Sequence, residues 1–257
     1  MLEVFFLEDQ WVWNLPILSG LIGVGVLYIL LLRSFTKLKV HHKQPFLFFL
    51  ALTLLYLAIG SPLSTLNHLS ISLHMIQLSL LFFVLPPLFL LGIPESFPPI
   101  LYRLNIPPLA ALFTFAILFS CYHLPAVLTY LSLHSLIHTS YLLLLMLLSF
   151  ISWRPIVKEE NKTFAFLSGM VLLPACSLLL LGGIFGNAAN PFLSGMLEHF
   201  CITPSAMSSI SVLPAPFNTR ADLIMAGVLM MGIHKFSLLL TVRMRKILLE
   251  RDLTGNS

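Results

Sequence analysis

The chain of 257 residues is 58% hydrophobic and only 9% charged, with a formal net charge of +4 at pH 7. So little charge over this length excludes a soluble globular protein and indicates a polytopic membrane protein. No long polar stretch remains for a second unit, so we expect residues 1–257 to form a single integral-membrane domain without a separate soluble domain. A modest excess of Lys and Arg is typical of cytosolic loops, so we expect membrane lipid but no nucleic acid among the partners.

The amino terminus carries Glu3, Glu8 and Asp9 but no Lys or Arg before the first apolar stretch. A cleavable signal peptide begins with a basic segment instead. We therefore expect the first apolar stretch to remain in the mature protein as a membrane helix.

A helix needs about 20 apolar residues to cross roughly 30 Å of hydrocarbon. Seven apolar stretches reach or approach this length. They are expected to be helices, because a lipid-exposed backbone must satisfy its own hydrogen bonds and the short alternating strands of a barrel are not seen. The predicted fold class is all-α, a bundle of seven transmembrane helices at residues 12–32, 46–60, 71–92, 108–122, 131–151, 163–185 and 223–242.

The basic residues alternate between loops. Cytoplasmic loops of membrane proteins carry an excess of Lys and Arg. The loops after the first, third and fifth spans and the carboxyl-terminal tail hold nearly all of them, whereas the opposite loops hold only Arg220. We therefore expect the amino terminus outside and the carboxyl terminus in the cytoplasm. The residues that set this orientation are Arg33, Lys37, Lys39, Lys43, Arg103, Arg154, Lys158, Lys162, Arg243, Arg245, Lys246 and Arg251.

Prolines interrupt the third and the sixth predicted spans. Pro86 and Pro87 lie near the inner end of the third span, and Pro174 lies within the sixth. Each proline removes a backbone donor, so each is expected to bend its helix unless a neighbouring group bonds the freed carbonyl.

The string "HSLIH" places two histidines one helical turn apart in an uncharged span. His134 and His138 share one helical face about 6 Å apart, a spacing at which two imidazoles can bind one metal ion. His138 lies about 10 Å inside the membrane, where an unpaired polar group costs on the order of several kcal/mol. We expect its partner to be either a metal ion or an interhelical hydrogen bond. Most histidines share this predicted outer side, namely His68, His74, His123, His134, His138 and His199.

A second group begins the third span in "SLHMIQLSLL", residues 72–81. The imidazole of His74 and the thioether of Met75 together suit copper better than calcium or magnesium. Packing of Met75 in the core is the alternative. If the third and fifth spans touch, His74 would join His134 and His138 in a three-nitrogen copper site.

Other polar residues are candidates to complete this site. His123 in "CYHLP" could join from the outer turn after the fourth span, or be solvated there. Asp222 begins the last span, where it either stabilises that helix terminus or orients an imidazole. Gln77, on a neighbouring face of the third span, is a second candidate for such an orienting role.

His234 and Lys235 lie deep in the last span. A lysine there resembles the retinal-binding lysine of microbial rhodopsins, but no acidic residue in another helix core can act as its counter-ion. We expect Lys235 to extend toward the inner surface. His234 is expected to be a structural hydrogen-bonding group, with haem ligation as the alternative.

Several short strings resemble the CtaG family of membrane assembly factors for caa3-type cytochrome c oxidase, a seven-helix family. No string is specific alone, but their order along the chain is. Two positions depart from the family pattern, since Leu78 and Leu223 stand where the family has a histidine and a glutamine. The matching strings are "SPL" at 61–63, "HM" at 74–75 with Gln77, "PPLFLLGIP" at 86–94, "YHLP" at 122–125, "HSLIH" at 134–138, "WRP" at 153–155, and Asp222, Gly227 and Met230 in the last span.

The resemblance implies a role in maturing the oxidase by handling copper on the outer face, where the binuclear copper centre is assembled. It implies oxidase subunits or other assembly factors as partners, and a multi-pass protein of a bacterial cell membrane. Metal ligation would fall to His74, Met75, His123, His134 and His138, with Asp222 and Gln77 around them.

Other classes of function are weighed against this one. A haem-binding redox protein would need two histidines at matching depth on facing helices. A transporter would show paired charges or broken helices at the midplane. We expect no enzyme, because apart from Asp222 no carboxylate lies at outer membrane depth to orient a catalytic base, and no G-x-S-x-G motif occurs.

Overall fold

The computed structural model describes residues 13–36, 43–62, 64, 70–94, 97, 106–185 and 220–254. Within these residues the chain is helical and has no strand, which confirms the predicted all-α class for this part. The helices are α1 (Leu15–Phe35), α2 (Lys43–Ile59), α3 (Ile71–Gly92), α4 (Pro108–Tyr122), α5 (Pro125–Leu133), α6 (Ser135–Glu159), α7 (Lys162–Phe185) and α8 (Arg220–Thr254).

Five of these helices, α1, α3, α6, α7 and α8, are long and apolar enough to cross a membrane. The apolar helices α2 and α4 have 17 and 15 residues. They fall short of the length of about 20 residues that a crossing needs. The described residues thus have the character of a membrane protein, while the count of seven crossings and the orientation stay predictions.

The predicted fifth span, 131–151, is not one continuous helix. The backbone breaks at His134 (φ −125°, ψ 82°), where α5 ends and α6 begins. The N–H of His134 bonds the carbonyl of Leu131, and its ring Nδ1 bonds the carbonyl of Tyr130 at 3.0 Å. The side chain has therefore replaced the backbone donor that a continuous helix would supply to Tyr130, a known competition between side chains and helix bonds.

The last helix is also longer than its predicted span of 223–242. The helix α8 is 35 residues long and ends at Thr254. Beyond the apolar stretch the sequence is rich in Leu, Met, Lys and Arg, all of which favour the helical conformation. The apolar pattern predicts where lipid contact ends, whereas helix propensity decides where the helix ends.

The third helix is the centre of the bundle. It packs against α2, α6 and α8. Of an apolar stretch of 18 residues in α3, 78% is buried, whereas the figure is 17% for α1, which packs on α2. α4 packs against α6 and α7, and α7 packs against α8. Residues of α3 therefore face neighbours on most sides, while α1 lies at the periphery.

A π-helical turn, Leu80–Val84, interrupts α3 just before its two prolines. Pro86 has no N–H to offer the carbonyl of Phe82 one turn earlier. Two α6 side chains bond that carbonyl instead: the Ser149 hydroxyl at 2.5 Å and the Trp153 indole N–H at 3.1 Å. The expectation that neighbours re-satisfy the freed carbonyl is confirmed here.

The same compensation occurs one residue later. Pro87 cannot donate to the carbonyl of Phe83, and the hydroxyl of Ser237 from α8 donates to that carbonyl. Since Ser237 is buried, this bond also satisfies its own hydroxyl. The two prolines of α3 thus tie the helix to both α6 and α8. α7 continues through Pro174 as a single helix.

The two ends of the bundle differ in chemistry. At one, the basic end, the guanidinium of Arg245 in α8 donates to the carbonyl of Lys158 at 2.6 Å and lies 3.3 Å from the carboxylate of Glu160. Antiparallel packing puts the ends of α4 and the starts of α3, α6 and α8 at the opposite end. We call that the histidine end, because it holds His74, His123 and His138.

Candidate functional site

The hydroxyl of Tyr122 links three helices at the histidine end. Tyr122 is the last residue of α4 and is fully buried. Its Oη lies 2.8 Å from Nε2 of His74 in α3 and 2.9 Å from Nε2 of His138 in α6. A hydroxyl has one proton, so it donates to one imidazole and accepts from the other. One of the two Nε2 atoms therefore carries a proton and the other a lone pair.

The turn after α4 places this tyrosine. Leu124 precedes Pro125 and adopts an extended backbone (φ −72°, ψ 128°), as the residue before a proline usually does. The α4 helix therefore ends at Tyr122, and His123 becomes its carboxyl-terminal cap. The consecutive residues Tyr122 and His123 thus place a phenol and an imidazole at the same end of the bundle.

His123 pairs with Met75. Its Nδ1 lies 2.6 Å from the carbonyl of Phe119, and its Nε2 lies 3.1 Å from the sulfur of Met75 in α3. A carbonyl only accepts, so Nδ1 carries the ring proton. Burial lowers the pKa of His123 to about 4, against the opposing effect of the Phe119 carbonyl, so the ring is neutral near pH 7. Nε2 therefore points its lone pair at the thioether.

The structure does not bring His134 to this cluster. Its ring is exposed and stacks on Tyr130 with centroids 4.4 Å apart. His138, one turn later, bonds Tyr122 instead, so the two imidazoles do not share a partner. The part of the chain that the structure describes has no group of three His, Cys, Asp or Glu side chains placed around one ion. The expected three-nitrogen arrangement with His74 is therefore not assembled there.

Asp222 and Gln77 hold helices together. The fully buried carboxylate of Asp222 accepts hydrogen bonds from the Ser70 hydroxyl at 2.9 Å and from the backbone N–H groups of Ile71 at 3.1 Å and Ser72 at 3.2 Å. This charge caps α3, and Asp222 also lies in the first turn of its own helix, α8, one of the two positions that the sequence suggested. The amide of Gln77 donates to the carbonyl of Ala58 in α2 at 2.7 Å.

His234 lies apart from the cluster, about three turns after Asp222 along α8. It is buried between the rings of Phe83 and Trp153, and its Nε2 lies 3.4 Å from the Ser168 hydroxyl. The expected role as a structural hydrogen-bonding group agrees with this contact.

The haem alternative is not favoured at the place where His74 and His138 face each other. Two histidines on facing helices would need a porphyrin between them. His74 and His138 do face each other, but the Tyr122 hydroxyl lies within 3 Å of both Nε2 atoms and fills the space between them. Among the described residues, the geometry offers hydrogen bonding at this place rather than axial ligation.

Tyr122 is the residue that sequence reasoning missed. It appeared only as a letter in the string "YHLP", next to the candidate His123. A tyrosine at the end of an apolar helix needs a partner for its hydroxyl when it is buried. That requirement, set beside two histidines that also need partners, is the signal that could have found it.

The fold and the site define a class: a helical membrane protein with a buried cluster of imidazole, phenol and thioether groups at one end. The family model for the cytochrome c oxidase caa3 assembly factor matches residues 26–244, a range that includes every residue of the cluster. The chain belongs to this family. No curated protein and no solved structure matches it.

Proposed function

We propose that this caa3 oxidase assembly factor binds copper at the histidine end of its bundle and passes it to an oxidase subunit or to another assembly factor. The role in oxidase assembly follows from the family. Copper, the outer face of a bacterial cell membrane and a non-enzymatic mechanism are the further parts of the proposal.

One observation carries this proposal. Four potential ligands from α3, the end of α4 and α6 converge at the histidine end, and all are buried or half-buried: His74, Met75, His123 and His138. Imidazole and thioether groups are ligands that copper accepts and that calcium and magnesium do not favour. This buried set of imidazole and thioether groups therefore suits copper, carried as cargo, better than it suits hydrated calcium or magnesium ions.

The orientation rests on charge. The basic end holds Arg154, Lys158, Lys162 and Arg245. The helix ends at Arg33 and Lys43 lie on the same side, because Gly92 at the end of α3 accepts a hydrogen bond from Tyr28 of α1 and lies against Phe48 of α2. Cytoplasmic loops carry such an excess of cations. Seven crossings with the carboxyl terminus inside would put the histidine end at the outer face.

Partners and lipid share the remaining surface. Large apolar side chains are exposed on the outer helices, including Ile22 of α1 and Leu239 of α8, which are 58% and 72% exposed. A lipid environment covers such side chains. Oxidase subunits or other assembly factors would contact the protein at the histidine end.

Complementation tests the proposal. In a bacterial strain whose own caa3 assembly factor gene is deleted, the wild-type chain should restore oxidase activity and oxidase-bound copper, measured in isolated membranes. His138→Ala should lose most of both, because the imidazole that reaches the cluster is removed. His134→Ala is the matched control, one turn away and outside the cluster, and should behave as wild type.

Two further measurements keep the result interpretable. Immunoblotting of membranes shows whether each variant accumulates, and added copper should partly restore the oxidase in cells that carry His138→Ala. Full oxidase copper with a stably produced His138→Ala chain would overturn the copper role. A defect that no copper supplement relieves would point to assembly by protein contact alone.

A further inference from the structure

We infer that Met75 and His123 form a two-ligand site for one Cu(I) ion, with the sulfur of Met75 and Nε2 of His123 as the ligands. This inference rests on the proposed copper function and names the oxidation state and the ligand pair. It separates these two residues from the hydrogen-bonded group of His74, Tyr122 and His138.

The pair has two electron-pair donors and no hydrogen between them. The ring proton of His123 lies on Nδ1, toward the carbonyl of Phe119 at 2.6 Å. Nε2 therefore offers a lone pair, and a thioether sulfur has no hydrogen to give it. The two atoms nevertheless lie 3.1 Å apart. A cation that accepts electron density from both atoms turns this contact into a favourable one.

The separation is short enough for both atoms to reach one ion. Metal bonds to imidazole nitrogen and to sulfur measure about 2.0 and about 2.3 Å for zinc, so two such ligands of one ion lie at most about 4.3 Å apart. The observed 3.1 Å is within that limit. Met75 has a flexible side chain that can adjust further as an ion enters.

The nature of the ligands selects the ion. Thioether sulfur is a soft ligand that favours Cu(I), whereas oxygen ligands favour magnesium, calcium and manganese. Both ligands here are neutral, so a monovalent ion leaves one uncompensated charge in a buried place and a divalent ion leaves two. Because burial of unpaired charge is costly, the lower charge is favoured.

The surroundings exclude water. Met75 and His123 are 1% and 6% exposed, and the fully packed ring of Phe119 lies against the imidazole with centroids 4.6 Å apart. An ion at this place must shed its water and accept few ligands. Cu(I) can enter and leave such a pair by ligand exchange, with no electron transferred and no bond in the protein broken.

The neighbouring imidazoles are already engaged. His74 and His138 both direct Nε2 to the Tyr122 hydroxyl. They can hold Tyr122, and with it the adjacent His123, in position without contacting the ion. Loss of His138 is therefore expected to weaken Cu(I) binding indirectly, by releasing Tyr122 and the adjacent His123, whereas loss of Met75 removes a ligand.

The test uses the full chain purified in detergent without oxygen. Competition with a chromogenic Cu(I) chelator gives the affinity, and Ag(I), which is not redox-active here, serves as a second probe. Met75→Leu keeps the volume of the side chain and should weaken binding of both ions by about tenfold or more. Met170→Leu, at an exposed position of α7, is the matched control and should bind as wild type.

A direct readout shows the ligand itself. In protein labelled at its methionine methyl groups with carbon-13, the resonance that is lost in Met75→Leu should shift when one equivalent of Ag(I) is added, and His123→Gln should abolish the shift. An unchanged Met75 resonance in the wild type, together with full Cu(I) affinity in Met75→Leu, would overturn this site. The proposed copper function would not be affected by that outcome. If the wild type bound neither Cu(I) nor Ag(I), both proposals would fall.

Discussion

The hydroxyl of Tyr122 satisfies two buried imidazoles at once, which makes it the most constrained polar group in the cluster. A buried donor or acceptor left without its partner costs about 1–3 kcal/mol. His74 is almost fully buried and His138 is half-buried. Removal of this one oxygen would therefore strand ring nitrogens on two different helices.

Tyr122→Phe should lower the free energy of unfolding by about 1–3 kcal/mol, measured as a reduced thermal midpoint in detergent. Tyr141→Phe is the control, because the Tyr141 hydroxyl makes a 2.6 Å bond to the carbonyl of Leu118 within a packed helix pair. That carbonyl keeps its helical partner when the hydroxyl is lost, so a smaller decrease is expected. Equal decreases for the two variants would contradict a special role of Tyr122.

The sequence predicted the need of His138 for a partner but not which partner it has. The sequence predicts His138 about 10 Å inside the membrane, where an imidazole needs a bonding partner. The structure has the interhelical hydrogen bond, which is one of the two expected partners. His134 could not be placed from its spacing alone. Its ring bonds the preceding turn, and side-chain competition of that kind leaves no mark in the hydrophobic pattern.

At the scale of elements, α3 is held by bonds that its prolines make necessary. The carbonyls of Phe82 and Phe83 receive hydroxyl and indole donors from α6 and α8. These bonds fix the rotation of α3 about its axis, because both carbonyls must face their donors. The same rotation of α3 brings His74 into contact with Tyr122 and Met75 into contact with His123, about two turns earlier in the helix.

A double-mutant cycle tests this compensation. Ser237→Ala should destabilise the protein by about 1–3 kcal/mol, because the carbonyl of Phe83 loses its donor in a buried place. In a Pro87→Ala background a backbone N–H can return to that carbonyl, so the same substitution should cost less. The free energies of unfolding of the four proteins give the coupling. Additive effects would show that Ser237 stabilises the chain for another reason.

The ends of elements were predictable where proline or a cap determines them. The predicted bounds 71–92 and 108–122 match α3 and α4, since Ser70 caps the first and prolines begin the second. The break between α5 and α6 and the extension of α8 were not predictable from apolar length. A side-chain bond and the helix propensity of a charged tail decide those two ends.

At the scale of the whole molecule, the charge of the basic end and the candidate ligands of the histidine end lie on opposite sides of the apolar bundle. Arg245 and Glu160 form an ion pair at the basic end. The positive-inside rule predicts that this end lies in the cytoplasm. The proposed transfer of copper at the outer face requires this orientation, so topology is the property that most constrains the function.

Cysteine labelling measures the orientation directly. In a chain with Cys121, Cys176 and Cys201 replaced by serine, single cysteines are introduced at the start of α6 as Ser135→Cys or just after its end as Asn161→Cys. Both positions are exposed. A membrane-impermeant maleimide should label Ser135→Cys in intact cells and Asn161→Cys only after lysis. The reverse pattern would put His138 and its cluster in the cytoplasm. Copper could then not be delivered from outside, and the family role would have to be performed through the inner face.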